Sequence, residues 1–337
     1  MMTFKCPNVS VIILTYNGSQ YINALLDSLY DQSYPRDRME IIVVDNASTD
    51  NTRSIVKNKY PFVKCITLPE NIGFAAGNNR GLQYAKYDFL VFLNQDTICH
   101  RDWLKGLINI MLEDESIAAC NSNIITTKIA DFREIDRQLP FNSLYYYDLS
   151  PYGYGCYRIK TGKRFFFTKL LSGCSFMIRR QIISELGYLF DEQLWMYAED
   201  TDLSLRLHNT GRKFCAVRDS VVFHLHNSEI KFGRDTLRLT AKAIMNRVYV
   251  FFKNMSTLEF ILFFPLMLIG GVFKIFEFGL PTSRKVTFFI PFGLFSMLCM
   301  ILALFGLPRY AAGKRKIMKN RCDKGFSLLK LLLKHSR

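Results

Sequence analysis

Three short apolar runs, each closing on polar residues, limit what this chain can fold into. Val9 to Leu14, Ile41 to Val44 and Phe89 to Leu93 are unbroken apolar stretches that stop at Thr15-Tyr16-Asn17, at Asp45 and at Asn94-Gln95-Asp96. Runs of this length without polar alternation read as strands buried on both faces. Between the first two, Tyr21, Ile22, Leu25, Leu26 and Leu29 recur at helical spacing. Asn51 to Lys59 and Asn78 to Ala85 read as further helices, with a short strand near Val63 to Leu68. Strand and helix in alternation predict a parallel sheet with right-handed crossovers. Such sheets bind ligands beyond the carboxyl ends of their strands, which is where the three polar clusters fall.

Further along, Leu170 to Ile178 and Phe214 to Phe223 read as strands, and Asp200 to Asn209 as a helix stopped by Gly211. Residues 141–157 are rich in Tyr, Gly and Pro and read as a loop, either an aromatic surface for a sugar or a loop packed on the body. The apolar fraction of 49% supports a real core and argues against disorder. The nine cysteines contain no Cys-x-x-Cys pair, and several sit in apolar runs, which predicts buried thiols in a reducing compartment. The six-residue run at Val9 lacks a basic leader, so no signal peptide is expected there.

The net charge of +15 is uneven, because residues 228–337 hold 19 Lys/Arg against 5 Asp/Glu. The same stretch is strongly apolar. Val286 to Leu307 is 22 residues without a charge, and Phe260 to Phe273 adds 14 apolar residues. Basic residues beside long apolar runs fit an anionic membrane surface better than a nucleic acid, so a membrane partner is expected and no nucleic acid. Two arrangements stay open. A spanning hairpin would place Arg284 and Lys285 on the far side, whereas in-plane or re-entrant helices would break at Pro265, Pro281 and Pro291.

A set of motifs carries a resemblance. The stretches TYN (15–17), DNASTD (45–50), NIGFAAGNNRG (71–81), LNQDT (93–97), GCSFMIRR (173–180), GYLFDEQLWMYAEDTDLSLRL (187–207) and VVFHLHNS (221–228) stand in one order and spacing. Together they resemble family 2 glycosyltransferases, most closely the rhamnosyltransferase-like branch of surface-polysaccharide synthesis. The resemblance covers about residues 9–228 and implies an α/β fold of the GT-A type, a Rossmann-like and mostly parallel sheet, with inverting sugar transfer.

The implied roles follow residue by residue. A sugar nucleotide leaves as a charged diphosphate, which a divalent cation, Mg²⁺ or Mn²⁺, would stabilise through hard oxygen ligands. Asp96 is the first candidate ligand, and the resemblance adds His224, with His226 as a weaker neighbour. The family's usual Asp-x-Asp is here Asn94-Gln95-Asp96, so the first carboxylate is an amide; an Asn/Asp turn closing a strand is the plain alternative. Asp45 is expected to accept the N3–H of a uracil or thymine base, with Thr15 and Tyr16 flanking it. Alternatively, Asp45 opens a helix cap, with Asn46 or Ser48 doing the capping. Asn17, Asn46, Gly73 and Asn79 belong to the same donor-side motifs. Glycines 73, 77 and 81 would let the backbone approach a ligand, and Arg80 would meet the diphosphate unless it is simply solvated. By resemblance Asp200 is the base that takes the acceptor proton, with Glu199 beside it and Asp202 at the helix start. Asp191-Glu192 is read as an acceptor-side or structural pair.

The expected organisation is therefore a GT-A domain over 1–228, a connecting helical segment over 229–257, membrane-associated or transmembrane helices over 258–308, and a basic cytoplasmic tail over 309–337. The expected partners are a nucleotide-sugar donor (UDP- or dTDP-linked, with rhamnose favoured) and a lipid-linked saccharide acceptor; a homo-oligomer is left open. The catalytic domain is expected on the cytoplasmic side. A non-catalytic nucleotide- or sugar-binding membrane protein is the rival reading.

Overall fold

The computed structural model describes residues 6–127, 142–225, 234–273, 282–321 and 328–333. The chain forms two compact units that interleave along the sequence. The first holds residues up to 147, 157–195 and 213–227, and the second 148–156, 196–212 and the chain from 228 onward.

The first unit is built on a nine-stranded sheet. In chain order its strands are β1 (Val9–Thr15), β2 (Met39–Asp45), β3 (Lys64–Thr67), β4 (Phe89–Asn94), β5 (Thr97–Cys99), β6 (Ile117–Thr127), β9 (Phe165–Phe167), β10 (Ser175–Arg179) and β11 (Lys213–Leu225). The spatial order is β3-β2-β1-β4-β10-β6-β11-β5, with β9 added beside β11. The β3-β2-β1-β4 half is parallel, as the alternation of strands and helices predicted. The other half departs from that expectation. Strand β10 runs antiparallel to both β4 and β6, and β5 and β9 run antiparallel to β11, while only β11 and β6 are parallel. Among the described residues no helix joins β5 to β4 or β10 to β9, so no crossover there imposes a parallel direction on them.

Helices α1 (Ile22–Tyr30), α2 (Thr52–Lys59), α3 (Gly73–Tyr84) and α4 (Trp103–Glu113) flank the sheet, and α5 (Arg180–Leu186) follows β10. Helix α3 begins five residues earlier than its apolar spacing suggested, so the glycines lie inside a helix. A side chain at Gly77 would strike Leu14, and one at Gly81 would strike Ile12. These two glycines let α3 lie flat on β1, which replaces the expectation that they open the backbone to a ligand. Strand β10 is shorter than expected, because 170–174 forms no ladder.

The Tyr-rich stretch is the clearest difference from the sequence reading. It forms a hairpin of β7 (Ser143–Leu149) and β8 (Gly155–Thr161) instead of an open loop. Tyr is a good strand former, and Leu144, Tyr146 and Asp148 are buried in alternation with half-exposed neighbours. Residue 141 of that stretch lies outside the described residues.

In the second unit, α6 (Glu199–Asn209) packs on α7 (Arg234–Asn254), followed by α8 (Thr257–Phe273), α9 (Thr282–Gly306), α10 (Ala311–Lys319) and α11 (Leu328–Leu333). The hairpin tip, residues 148–156, belongs to this unit, with Gly153 against the rings of Phe251 and Phe263.

Helix α4 sets a sharp steric limit on the sheet. A Cβ at Gly106 would lie 2.8 Å from the backbone oxygen of Asp219 and from the nitrogen of Ser220. Backbone cannot rotate aside as a side-chain tip can. Gly106→Ala is expected to lower stability by about 1–3 kcal/mol in urea unfolding, despite the better helix propensity of Ala; an unchanged midpoint would refute this packing account.

Candidate active site

The parallel register aligns Thr15 with Asp45, and Leu14 with Asn94, at the carboxyl edge of the first unit's sheet. Most of the motif residues there bond to one another. Asn17 adopts a left-handed backbone (φ 48) that aims its amide nitrogen at Ser48 Oγ, 3.0 Å away, while its side-chain oxygen accepts from the Thr49 amide at 2.8 Å. Gly18 N donates to Thr52 Oγ1, and Ser19 N to Asp50 Oδ2. Asp50 Oδ1 accepts from the Thr52 amide at the start of α2. Burial raises the Asp50 pKa, but its hydrogen bonds from Thr52 and Ser19 outweigh that and hold it at about 2. Asp50, just before the N-cap Asn51, therefore takes the first amide of α2, and neither Asn46 nor Ser48, which had been expected to cap, does so.

Asn46 is buried and spans to the next motif. Its Nδ2 donates to Asn71 Oδ1 at 2.9 Å, and its Oδ1 accepts from the Ile72 amide at 3.0 Å. That turn sets Gly73 at φ 85, where a side chain would collide with the Trp195 ring. Gln95 fastens the end of β1: its Oε1 accepts from Thr15 Oγ1 at 2.6 Å and from the Tyr16 amide at 2.9 Å. Asn79 grips the turn after α5 through Phe190 and Glu192, and Arg80 bonds to Gln83 on the exposed side of α3. Neither shares a hydrogen bond with the cluster at the strand ends.

What this framework leaves open is small. Asp45 is 1% exposed; one carboxylate oxygen accepts from the Ser48 amide at 3.0 Å, and the other, Oδ2, is buried without a hydrogen-bond partner. A buried carboxylate oxygen without a donor is costly, so this atom calls for an N–H from outside the chain. The Tyr16 ring, 43% exposed, stands at the end of the neighbouring strand.

Asp96 and His224 meet because β11 runs antiparallel to β5, which sets His224 opposite Thr97. His224 Nε2 lies 3.3 Å from Asp96 Oδ2, and both side chains are partly exposed. Asn94, half-buried, closes β4 two residues away. Among the described residues no group of three or more His, Cys, Asp or Glu side chains could hold a metal. The pair can supply one hard oxygen and one borderline nitrogen to a divalent cation whose remaining ligands come from a bound phosphate or water, which is the usual habit of Mg²⁺. His226 lies outside the described residues.

The acidic run belongs to the second unit. Asp202 is fully buried, with Arg206 Nε at 2.8 Å, Lys253 Nζ at 2.8 Å and Asn254 Nδ2 at 2.8 Å. Burial pushes its pKa up, but the Lys253 ammonium and the Arg206 guanidinium outweigh burial and hold the carboxyl below the usual range. Asp202 thus anchors α6 to α7, a larger role than the helix-start carboxylate that the sequence suggested. Just before α6, Tyr197 and Ala198 hold left-handed backbones (φ 73 and 68), a strained arrangement for non-glycine residues. Asn246, buried on α7, fixes this segment by donating to the Met196 and Tyr197 carbonyls at 2.9 and 3.0 Å. Nothing local in the sequence marks Asn246 or Lys253 for these roles.

The two carboxyls at the start of α6 sit in different surroundings. Glu199 is buried, with Oε2 lacking a partner, and burial together with the Asp200 charge pushes it up to about 8. Asp200 is half-exposed and accepts from the Thr201 amide at 2.6 Å. Neighbouring carboxyls whose environments separate them in this way are a common acid–base arrangement.

Comparison with known proteins bears on the family and the fold. The sequence model of the family described as "Glycosyl transferase family 2" matches residues 10–187. "Probable glycosyltransferase YdaM" of Bacillus subtilis (strain 168) is 30% identical over 221 residues, covering 61% of this chain and 48% of that protein. The chain thus spans about half the length of that relative. Among solved structures, GalNAc-T7 with UDP, GalNAc and Mn2+ has a TM-score of 0.56 at 17% identity, covering 74% of this chain and 48% of that one. Mannosyltransferase PcManGT from Pyrobaculum calidifontis, in complex with GDP-Man and Mn2+, has a TM-score of 0.51 at 21% identity, covering 98% and 79%. These likenesses establish the GT-A fold.

Asp202→Ala would leave two cations buried without their partner, and a loss of about 3–5 kcal/mol is expected in chemical denaturation. Glu199 supplies a pH test. Its folded pKa lies above the ordinary 4.5, so its contribution is fully present below about pH 4.5 and is lost as pH rises through about 8. Glu199→Gln should therefore gain stability over the wild type near pH 9 more than near pH 4; a pH-independent difference would count against the buried, protonated carboxyl.

Proposed function

The chain belongs to glycosyl transferase family 2, and from that premise we propose that it is an inverting, metal-assisted glycosyltransferase acting in glycan synthesis. The donor is a sugar linked to a pyrimidine nucleoside diphosphate, UDP or dTDP, with rhamnose the favoured sugar. The observation that carries this reading is the unpartnered Oδ2 of Asp45, buried at the strand edge that also bears the Asp96–His224 pair. The N3–H of uracil or thymine is the donor that oxygen lacks, and the exposed Tyr16 ring offers the base a stacking face.

Asp96 and His224 would hold the cation, which when bound offsets charge on the departing diphosphate. Asp200 takes the proton from the acceptor hydroxyl as that oxygen bonds to the anomeric carbon from the face opposite the leaving group. The bond from carbon to the diphosphate oxygen breaks, and the configuration inverts. Glu199, which keeps its proton at neutral pH, leaves the negative charge of the pair on Asp200. Two of the structural neighbours bind Mn2+ with UDP and GalNAc or with GDP-Man, in support of a cation and a nucleotide sugar here.

The acceptor is proposed to be a lipid-linked saccharide, with the chain attached to the cytoplasmic side of a membrane. Support comes from the second unit, whose helix Thr282–Gly306 includes a stretch long and apolar enough to cross a bilayer and leads into a basic segment.

Calorimetric titration with UDP, dTDP and GDP, with and without Mn²⁺, tests the donor site. Mn²⁺-dependent binding of a pyrimidine diphosphate, lost in Asp96→Ala and weakened in Asp45→Ala, is expected. Asp200→Asn should keep that binding and lower transfer by about 10²–10⁴-fold, the usual range for a general base. Wild-type transfer by Asp200→Asn would remove the base assignment, and binding of no nucleotide would leave the fold intact but point to a degenerate protein or one that uses a lipid-phosphate sugar.

A further inference from the structure

Helices α8 and α9 are apolar nearly throughout, yet among their described side chains each leaves a broad stripe exposed. On α8 the stripe is Leu258, Ile261, Leu262, Pro265 and Ile269, spaced by three and four residues. On α9 it is Leu294, Leu298, Ile301, Leu302 and Phe305, with Phe305 81% exposed. Neither stripe carries a charge. Side chains this large and this exposed do not face water in such a row without a covering partner.

The opposite sides of the same helices are covered by polar elements of the second unit. The Phe263 ring packs on Phe251 of α7, with centroids 5.0 Å apart. Gly270 lies against Tyr152 and Tyr154 of the hairpin tip, and Gly271 against Ser296 of α9. Gly306, at the other end of α9, lies against the Tyr249 hydroxyl of α7. Charges sit within this covering layer. The Arg247 guanidinium lies 4.5 Å over the Tyr154 ring and donates to the Gly153 carbonyl, and Lys253 is paired with Asp202.

We propose that α8 and α9 lie in the plane of one leaflet of an anionic bilayer, with their stripes in the acyl boundary, and do not cross it. This rests on the membrane reading above and decides its mode. Length does not decide it, since the 25 residues of α9 could reach across. The covering layer does. If α8 and α9 spanned, Arg247 would be drawn into the hydrocarbon together with the irregular backbone of the hairpin tip that packs against Gly270 and Gly271, and that environment disfavours both. A helix apolar on one side and backed by charged protein on the other suits the interface plane. The occupant is a lipid surface because the stripe on α9 leads directly into exposed cations, Arg309, Arg315, Lys316 and Lys319, which complement anionic headgroups.

The test uses the full chain and sealed vesicles, either of phosphatidylcholine alone or of equal parts phosphatidylcholine and phosphatidylglycerol. Flotation with the mixed vesicles, and at least about tenfold weaker flotation with the neutral ones, is expected. Trypsin added outside should then cut at Lys274, Arg284 and Lys285 as well as in the basic tail, with the same fragments before and after detergent. Protection of 274–285 would mean a spanning hairpin, and protection of the tail a single span; either overturns the in-plane mode while leaving membrane attachment intact. Replacing Leu298 and Ile301 together by Glu should lower flotation at least tenfold and leave nucleotide binding unchanged. Absence of flotation with any vesicle would overturn the membrane reading itself. Self-association through this face in its place would make a second copy the occupant.

Discussion

The register that holds β1 between β2 and β4 is the constraint on which the donor side depends. With Thr15 opposite Asp45 and Leu14 opposite Asn94, three loops leave the sheet at the same height. Those loops are too short and too polar to pack by apolar burial, so they brace one another by hydrogen bonds through Asn17, Asp50, Asn46 and Gln95. Much of the polar side-chain capacity at these strand ends goes into this bracing. The Asp45 oxygen without a partner and the exposed Tyr16 ring stand out because their neighbours are satisfied. The motif residues therefore divide into builders of the edge and a few groups that the edge presents.

A different device orders the acidic run. The first turn of α6 holds three carboxyls, Glu199, Asp200 and Asp202, which would repel one another if all were equally ionised. Asp202 is neutralised twice over, by Arg206 and Lys253, and Glu199 is pushed by burial toward its neutral form. Asp200 is the half-exposed member of the group. The ion pairs also fix where α6 begins, since Lys253 and Asn254 come from α7 and are themselves buried. The strained backbone at Tyr197 and Ala198 persists because Asn246 on α7 holds the Met196 and Tyr197 carbonyls.

The β1 to β4 half of the fold was legible in the sequence, because continuous apolar runs and helical spacing are local signals. Asp96 and His224 could be named through a resemblance, and the structure brings them within 3.3 Å of each other. Features set by distant partners were not legible. The NIGFAAG glycines looked like a ligand loop, and only the position of Leu14 and Trp195 reveals them as packing positions. The Tyr-rich segment read as a loop because Gly and Pro punctuate it, although its alternating burial makes it a hairpin. Asp202 with Arg206 is an i,i+4 pair visible in sequence, but the third partner, Lys253, lies 51 residues away and has no local signature.

Helix α7 has two sides with different obligations. One side carries Asn246, Lys253 and Asn254, spaced to lie together, and holds the segment that leads into α6. Phe251 and Tyr249 belong to the same helix and pack against α8 and α9. A mobile surface helix could not serve both, because ion pairs with buried members tolerate little displacement and interiors are close-packed. The apolar pair and the carboxylate helix are thus seated on one rigid element.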